Sequence, residues 1–587
     1  MHDRGSLGVP AAMRSDPQGN DLSRPHGRKF VVESAFVILL VAGAFIVRLW
    51  PMSQAHFWDE AVYLQNAEVI CCGKTNYSEL SSRPPLLSLV FAGVFLLWNN
   101  VYAASLVTAF LNALGPLFLY FSGRMAKGRA AAAIASLLLA FSPFFVGAFP
   151  AWFVSDDTGN SLLSDSPALT LILVSFWLLL RALRNQTDLR FASAGFAFAL
   201  VVLMRFASLS SVAVLSLLVL FANRWWRAAL ACSIGFTTGF APYLCWSRLR
   251  YGGFLTTLRN GWEKFNGPGE SSLYYLKNFG IIFSWITAAG LALWVAQWFL
   301  RNRRQAARAA DHRTDPAEHL KQNRLGAFDA FLWGWAAVLL LFFSALRHKE
   351  ARYVMPLAPP LFLLAGMGLS VLLRGRQTLT RIVGPVVLAG VLVYSFLPVR
   401  EHFQSPLIDP DISEEMQVSD FLSRNMPPRT VLYTNFNYPV FAYYTGLPIQ
   451  PLLVHDPTFY QDLSRQMPVD GILIAYKDLN EDPRVEWLDS NPHFRRFKEF
   501  PSLLVYEYRV RADAFDQRNR TVVRSRPVGA YLAMDRRTFV KSSFVTASGA
   551  LLANCGFTAG SPLSQKNIPA TVARSQIDSA RSLKCGR

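Results

Sequence analysis

The sequence predicts an α-helical polytopic membrane protein with a small α/β domain near its C-terminus. Of its 587 residues, 52% are hydrophobic and 17% are charged, which excludes a polar soluble protein. Apolar runs long enough to cross a bilayer recur between residues 31 and 399, and a chain spans a bilayer as helices or as a closed barrel. Over residues 400–511 the charges balance, and short β-rich runs at 429–434, 471–476 and 503–510 predict strands.

Nine apolar runs have spanning length, at 31–50, 102–122, 130–153, 166–183, 228–247, 276–300, 327–345, 353–373 and 382–398. A further apolar block, 192–222, is interrupted by Arg205 and is interpreted as two short helices. Residues 85–98 are too few for a ~30 Å hydrocarbon core and favour a re-entrant or interfacial helix. About 11 transmembrane helices are therefore expected.

The basic residues orient these helices. Residues 1–399 carry 35 Lys/Arg against 19 Asp/Glu, and 23 of those basic residues fall in the loops that a topology starting inside places in the cytoplasm. Ten of the 19 acidic residues, Glu79 and Glu350 among them, fall on the outer side. We therefore predict a multi-pass protein of the bacterial inner (plasma) membrane whose outer face is the working face. Because the basic residues are spaced between apolar segments rather than clustered on a solvated domain, no nucleic-acid partner is expected.

The chain divides into five predicted regions. They are a cytoplasmic basic N-terminus at 1–30, a transmembrane domain at 31–399, an extracytoplasmic α/β domain at 400–511, a linker at 512–533 and a tail at 534–587. The tail has a twin-arginine pair, Arg536-Arg537, then an apolar stretch and Cys555, which is the layout of a bacterial export signal. We expect a fused reading frame or a miscalled gene boundary there, with a functional tail or coincidence as alternatives.

The 6 cysteines form no CxxC pair, so neither a zinc site nor a disulfide framework is indicated, and the adjacent Cys71 and Cys72 are interpreted as incidental.

The first predicted outer loop contains Asp59, Glu60 and Tyr63, followed by the run Arg83-Pro84-Pro85-Leu86. An external carboxylate beside a membrane-embedded cavity can act as a general base on a hydroxyl, while a nearby cation holds a phosphate leaving group. The alternative is structural. Asp59 and Glu60 would then stabilise the first turn of an interfacial helix, and Arg83 would extend its guanidinium to the interface.

The second predicted outer loop carries Asp156, Asp157 and Asp165. Asp165 is a second catalytic candidate, or else the N-cap of the next helix with Pro167 in its first turn. Asp156 and Asp157 are weak candidates for a divalent cation, because hard cations prefer oxygen ligands. A solvated turn is the alternative. The sequence therefore leaves the cofactor open between a divalent cation and none.

A third cluster, residues 347–360, lies at the predicted outer mouth of a span and includes Lys349, Arg352 and Tyr353. Cations on this side oppose the positive-inside bias, and a charge at a helix centre costs ~2.5–3.5 kcal/mol on the insertion scale. The cluster therefore indicates an anionic partner such as a lipid-linked phosphate, and Arg205 fits the same interpretation. Salt bridges to the outer carboxylates are the alternative.

Taken in order, these segments resemble the GT-C superfamily of membrane glycosyltransferases, in the branch of protein O-mannosyltransferases and aminoarabinose–lipid A transferases. The resemblance covers roughly residues 31–400. Asp59-Glu60 with Tyr63 is similar to the family's Asp-Glu-x-x-Tyr, and Arg83-Pro84-Pro85-Leu86 to its Lys-Pro-Pro-Leu with Arg in place of Lys. Asp165-Ser166-Pro167 is similar to its second acidic motif, and the run from Arg352 to Leu357 to its Arg-Tyr-Leu-Leu-Pro.

The resemblance implies an inverting glycosyltransferase that moves a sugar from a polyprenyl-phosphate donor to a hydroxyl of lipid A, a glycan or a protein. Asp59 would be the base, and Asp165 or Glu60 would position the acceptor or the sugar. The implied phosphate-binding residues are Arg83, Arg352, Arg205, Tyr353 and Lys349. The competing interpretations are a transporter or flippase of lipid-linked sugars and an assembly scaffold.

Overall fold

The computed structural model describes residues 26–50, 58–74, 77–146, 162–263, 271–310, 316–373, 414–434, 437–452, 466–477 and 483–510, with a few residues between 382 and 403 and Leu463. These residues form two compact units. The first is the helical part of the chain up to Gln417, with Pro439–Tyr444, and the second contains a five-stranded sheet. The region boundaries expected from the sequence stay predictions.

The helical unit contains sixteen α-helices among its described residues up to position 373. They are α1 His26–Leu49, α2 Trp58–Cys72, α3 Leu86–Phe95, α4 Val101–Lys127, α5 Arg129–Phe141, α6 Pro143–Val146, α7 Asp165–Asn185, α8 Asp188–Met204, α9 Leu209–Ser216, α10 Trp225–Tyr251, α11 Thr256–Glu263, α12 Tyr274–Lys277, α13 Phe279–Ile282, α14 Trp285–Ala310, α15 Pro316–Ala345 and α16 Ala358–Leu369. Short 3₁₀ turns occupy Phe206–Ser208, Leu217–Phe221, Ala351–Leu357 and Ser370–Leu373.

The predicted fold class is confirmed. Among the described residues, six helical segments are long and apolar enough to cross a membrane: Phe30–Leu49, Val101–Lys127, Asp165–Asn185, Trp225–Tyr251, Ala327–Ala345 and Ala351–Leu373. The segment predicted to be too short for a span is the 10-residue helix α3. Most of the predicted span 382–398 lies outside the described residues, so the expected number of crossings stays a prediction.

Several helices are interrupted, and the interruptions decide where polar side chains emerge. Helix α8 ends at Met204, and Arg205 is extended before the 3₁₀ turn that precedes α9, as its charge in an apolar block predicts. Helix α5 ends at Phe141, shorter than the predicted run, because Pro143 has no N–H for a continuing helix. The predicted helix 276–300 is wrong at its start, since Ser284 has a positive φ of 65° and α14 begins after it.

The core of the helical unit is a large cluster of Leu, Phe, Ala and Val side chains that spans most helices from α4 to α16. Helices α8 and α10 approach most closely through two glycines. A Cβ on Gly195 would lie 1.9 Å from the carbonyl oxygen of Cys232, and one on Gly235 would lie 1.9 Å from that of Ala192. Small residues allow such backbone contact between membrane helices.

The second unit is a mixed sheet with strand order β2-β1-β3-β5-β4. Its elements, with the helices near them in sequence, are α17 Glu414–Asn425, β1 Val431–Thr434, α18 Tyr438–Thr445, β2 Ile449–Pro451, β3 Gly471–Tyr476, α19 Pro483–Ser490, β4 Phe494–Glu499 and β5 Leu503–Tyr508. β1 pairs in parallel with β2 and β3, while β5 pairs antiparallel with β3 and β4. β1, β3 and β5 match the predicted strands, whereas β2 and β4 were not predicted.

The cysteines differ from expectation. Cys71 and Cys72, interpreted from the sequence as incidental, are joined in a disulfide at the end of α2. Helix α2 ends at Cys72, and the next residue, Gly73, has a positive φ of 70°. The linker 512–533 and the twin-arginine tail lie outside the described residues.

Candidate active site

A cavity of about 90 Å³ opens in the helical unit and is lined by charged side chains. Its walls come from the start of α2, the turn before α3, the loop that enters α7, the break after α8, helix α11 and the 3₁₀ turn before α16. The lining residues are Asp59, Tyr63, Ser82, Arg83, Pro84, Ser164, Asp165, Arg205, Phe206, Ala207, Gly261, Arg352 and Tyr353. The structure thus brings together all four sequence motifs.

Asp59 lies in the first turn of α2 and is held by two arginines from distant parts of the chain. Arg83 Nη2 donates to Asp59 Oδ1, and Arg352 Nη2 donates to Asp59 Oδ2 over 3.0 Å. The Asp59 side chain keeps about 19% of its surface exposed.

Arg83 is also anchored through its Nε by Glu79, which lies one helical turn before it in sequence. Its Nε donates to Glu79 Oε2 over 3.1 Å. Glu79 Oε1 in turn accepts from the Tyr77 hydroxyl over 2.6 Å and from the Trp58 indole N–H over 3.2 Å. These three hydrogen bonds to Glu79 therefore help to fix the Arg83 guanidinium against Asp59.

Arg352 is anchored in the same way by Glu350. Its Nε donates to Glu350 Oε2, while Glu350 Oε1 lies 2.7 Å from His348 Nε2 and accepts from the Tyr353 hydroxyl over 3.2 Å. Glu350 has extended backbone angles and directly precedes the 3₁₀ turn Ala351–Leu357, which carries Arg352 and Tyr353.

Asp165 and Arg205 form a second ion pair on the cavity wall, between Arg205 Nη1 and Asp165 Oδ1. The Arg205 guanidinium also lies 5.2 Å from the centre of the Tyr353 ring, within cation–π distance. Beside this pair, the Tyr63 hydroxyl is 2.8 Å from Ser164 Oγ. Asp165 is the first residue of α7 and is buried, whereas the N-cap position that was the alternative interpretation for Asp165 is occupied by Ser164.

Two predicted site residues do not line the cavity. Glu60 is 1% exposed, and its Oε1 accepts from the backbone N–H of Leu162 over 2.8 Å. Successive residues of a helix are rotated by about 100°, so Asp59 and Glu60 face different surroundings, and Glu60 instead connects α2 to the loop before α7. Lys349 is buried and donates to the carbonyl of Leu346.

The predicted metal candidates Asp156 and Asp157 lie outside the described residues. In the part of the chain that the structure describes, no group of three or more His, Cys, Asp or Glu residues is arranged to hold a metal ion.

The ion pairs change the ionisation of their members outside the spans. Burial by itself would raise the pKa of Glu350, but Arg352 and His348 beside it bring that pKa well below its ordinary value. Burial would lower the pKa of Arg83, but Asp59 and Glu79 raise it above its ordinary value. Both groups therefore carry full charge at neutral pH.

Sequence reasoning did not assign a role to Glu79 or Glu350, although both were among the acidic residues of the predicted outer side. A signal was present for Glu79, which precedes Arg83 by four residues, the spacing of neighbours on a helical turn.

No protein-family model matches the sequence, and no curated protein does. Solved structures do match. Crystal structures of ArnT from Cupriavidus metallidurans, bound to undecaprenyl phosphate and in the apo state, have TM-scores of 0.56 and 0.54 to this chain, each at 16% identity over 81% of this chain and 98% of theirs.

The archaeal oligosaccharyltransferase AglB from Archaeoglobus fulgidus, in complex with an inhibitory peptide and a dolichol-phosphate, matches with a TM-score of 0.50 at 11% identity, over 77% of this chain and 70% of its own. The chain therefore has a GT-C membrane fold. This agrees with the resemblance that the sequence motifs indicated, and the four motifs of that resemblance line one cavity of the GT-C fold.

Proposed function

We propose that this protein is a membrane glycosyltransferase that moves a sugar from a polyprenyl-phosphate donor to an acceptor hydroxyl on the outer face of the bacterial inner membrane. One observation carries the proposal. A carboxylate, Asp59, is held in a cavity between two arginines, Arg83 and Arg352, that arrive from separate loops. A base and two phosphate-binding cations in one pocket are what the transfer of a sugar from a phosphate requires.

In the proposed reaction, the acceptor hydroxyl enters beside Asp59. Its oxygen attacks the anomeric carbon of the sugar while Asp59 takes the proton, so the new glycosidic bond forms as the bond from that carbon to the phosphate oxygen breaks. The electron pair of the broken bond stays on the phosphate. Attack on the face opposite the leaving phosphate inverts the anomeric centre.

The arginines stabilise the negative charge that grows on the departing phosphate. In the described part of the chain, the hydrogen bonds of Arg83 and Arg352 use Nε and Nη2. A guanidinium has five N–H groups, so the Nη1 group of each arginine is left to bind phosphate oxygens. Arg205 and Tyr353 line the same cavity and extend the phosphate-binding wall.

The fold supports a lipid-linked donor. Structures with this fold hold undecaprenyl phosphate in ArnT and a dolichol-phosphate in AglB. Both are phosphates on long isoprenoid chains, which lie in the bilayer and present the phosphate at its surface. A donor of this kind delivers an activated sugar on the side of the membrane where nucleotide sugars are not available.

The test uses the purified full-length chain in a bilayer mimetic, with radiolabelled polyprenyl-phosphate hexose and pentose donors and a total membrane extract as acceptor. Wild type and Asp59→Asn are compared side by side. Label that moves to a new species with wild type alone supports the transferase and reveals the acceptor class. Donor that is bound and recovered chemically unchanged with both proteins would overturn the proposal in favour of a transporter.

A further inference from the structure

Two glutamates outside the cavity lining each hold one of the arginines that hold Asp59. Arg83 gives its Nε to Glu79 and its Nη2 to Asp59, and Arg352 gives its Nε to Glu350 and its Nη2 to Asp59. The arrangement is the same on both sides of Asp59, although Glu79 and Glu350 come from unrelated loops. A row of alternating charges results, Glu79–Arg83–Asp59–Arg352–Glu350.

The two outer glutamates are themselves fixed. Glu79 accepts from Tyr77 and Trp58, and its backbone N–H donates to Asn66 Oδ1 over 2.9 Å, which ties the turn to α2. Glu350 contacts His348 and Tyr353. Each glutamate thus has further partners besides its arginine and is not free to follow the arginine if the latter moves.

We infer that Glu79 and Glu350 are positioning residues that hold Arg83 and Arg352 by their Nε edges. The inference rests on the proposed function and deepens it. With its Nε edge occupied, each guanidinium meets Asp59 through a single Nη2 group and keeps Nη1 for the phosphate. Without the glutamate, a guanidinium can rotate to form the two parallel bonds that arginine prefers with a carboxylate. That pairing would occupy Asp59 and withdraw an arginine N–H group from the phosphate.

The glutamates also set the charge of the row. Two arginines and three carboxylates give 2 − 3 = −1. Removing a glutamate charge therefore favours the binding of any anion, whatever the effect on geometry. An experiment must separate this general electrostatic effect from positioning, and two near-isosteric substitutions do so.

Glu350→Gln removes the charge but keeps an amide oxygen that can accept from Arg352 Nε. Glu350→Asp keeps the charge but withdraws the carboxylate by one methylene. The same two substitutions at Glu79 test Arg83. If the glutamates position the arginines, the Gln variants keep a larger kcat than the Asp variants. Misplacement of a reacting group by 1 Å costs on the order of 100-fold, so we expect the Asp variants to lose roughly 10- to 100-fold in kcat.

The measurement is steady-state transfer with the labelled donor found active on wild type, analysed for kcat and KM separately. Undecaprenyl phosphate binding is measured on the same proteins, and thermal unfolding verifies that each is folded. Glu507 is the matched control, because it also pairs with two arginines, Arg495 and Arg509, but in the sheet unit. Its Gln and Asp variants should transfer like wild type.

A higher kcat of the Gln variants than of the Asp variants at positions 350 and 79, with unchanged unfolding temperatures, supports the positioning role. The reverse order would overturn it, because only the charge would then matter, and equal activity of all four variants and wild type would overturn it as well. If wild type itself transfers no sugar, the proposed function fails. The inference is then judged on undecaprenyl phosphate binding, where the Asp variants must bind more weakly than the Gln variants.

Discussion

Two cavities in the described part of the helical unit differ in size and in chemistry. The larger, about 320 Å³, lies between α14 and α15 and is lined by Trp294, Trp298 and Trp333 with Asp329. The smaller, about 90 Å³, is lined by two carboxylates and three arginines. Volume alone would point to the aromatic cavity, but the smaller cavity holds a base and cations side by side.

The ion pairs of the two cavities also differ. Asp329 pairs with Lys127, and each of these side chains is about 6% exposed, while Arg301 lies 3.8 Å from the other carboxylate oxygen. In the smaller cavity, Asp59 and Arg83 keep about a fifth of their side-chain surface exposed. A closed pair stabilises helix packing, whereas a partly open pair can exchange one partner for a ligand. The comparison indicates that a partly exposed ion pair such as Asp59–Arg83, rather than the presence of buried charge, marks the site.

The largest expected effect separates the two carboxylates. Asp59→Asn should lower transfer by about 10²–10⁴-fold, the usual contribution of a general base, while the donor still binds. Asp329→Asn should leave transfer per folded molecule unchanged but destabilise the protein by about 3–5 kcal/mol, because Lys127 would be left buried without its partner. Transfer rates and thermal unfolding of the two variants are the measurements. Comparable transfer rates of Asp59→Asn and Asp329→Asn would contradict the assignment of Asp59 as the base.

The arginines come next. Arg83→Ala and Arg352→Ala should each lower kcat by about 100-fold, the cost of one donor to a developing anion, and should weaken binding of undecaprenyl phosphate. Arg83→Lys should recover part of the loss, since it keeps the charge but has no Nε to meet Glu79. Binding titrations beside the transfer assay separate the two effects. Normal donor binding in both alanine variants would contradict the phosphate-binding role.

A smaller effect is expected at Gly261 of α11. A Cβ there would lie 2.8 Å from the carbonyl oxygen of Ser82 and 3.0 Å from the Phe206 ring, so Gly261→Ala should shift the turn that carries Arg83 and lower kcat by roughly 10-fold. Gly334→Ala in α15 is the control, because nothing lies within 4 Å of its Cβ position. Equal activity of the two variants would show that the Arg83 turn tolerates displacement.

Much of the fold was predictable because spanning length and charge are local properties of the sequence. Arg205 predicted its own helix break, and the run 471–476 predicted β3. Ser284 gave no such signal, since a left-handed serine depends on its surroundings. Strand β4 was missed because its residues after Phe494 are exposed, so the apolar alternation that marks a half-buried strand is absent.

The site was predictable as a set of loops but not as a set of contacts. Spans that alternate in direction bring every second loop to the same end of the unit, which is why Asp59, Arg83, Asp165, Arg205 and Arg352 meet. Which carboxylate pairs with which arginine depends on side-chain direction. The motif places Glu60 next to Asp59 in sequence, but the rotation of the helix directs Glu60 to the backbone N–H of Leu162. The two arginines are anchored instead by Glu79 and Glu350.

The smallest expected effect concerns pH and Glu350. Its pKa in the folded protein lies well below its ordinary value of 4.5, because Arg352 and His348 outweigh its burial. A carboxylate whose pKa is lowered on folding adds stability above its unfolded pKa and loses it as the pH falls toward the folded pKa. The unfolding temperature of wild type should therefore exceed that of Glu350→Gln by a constant amount from pH 8 to about pH 5, and the gap should narrow only at more acidic pH. Paired unfolding curves across this range measure the gap. A gap that narrows already between pH 7 and pH 6 would contradict this prediction, because a carboxylate whose pKa is lowered on folding does not titrate in that range.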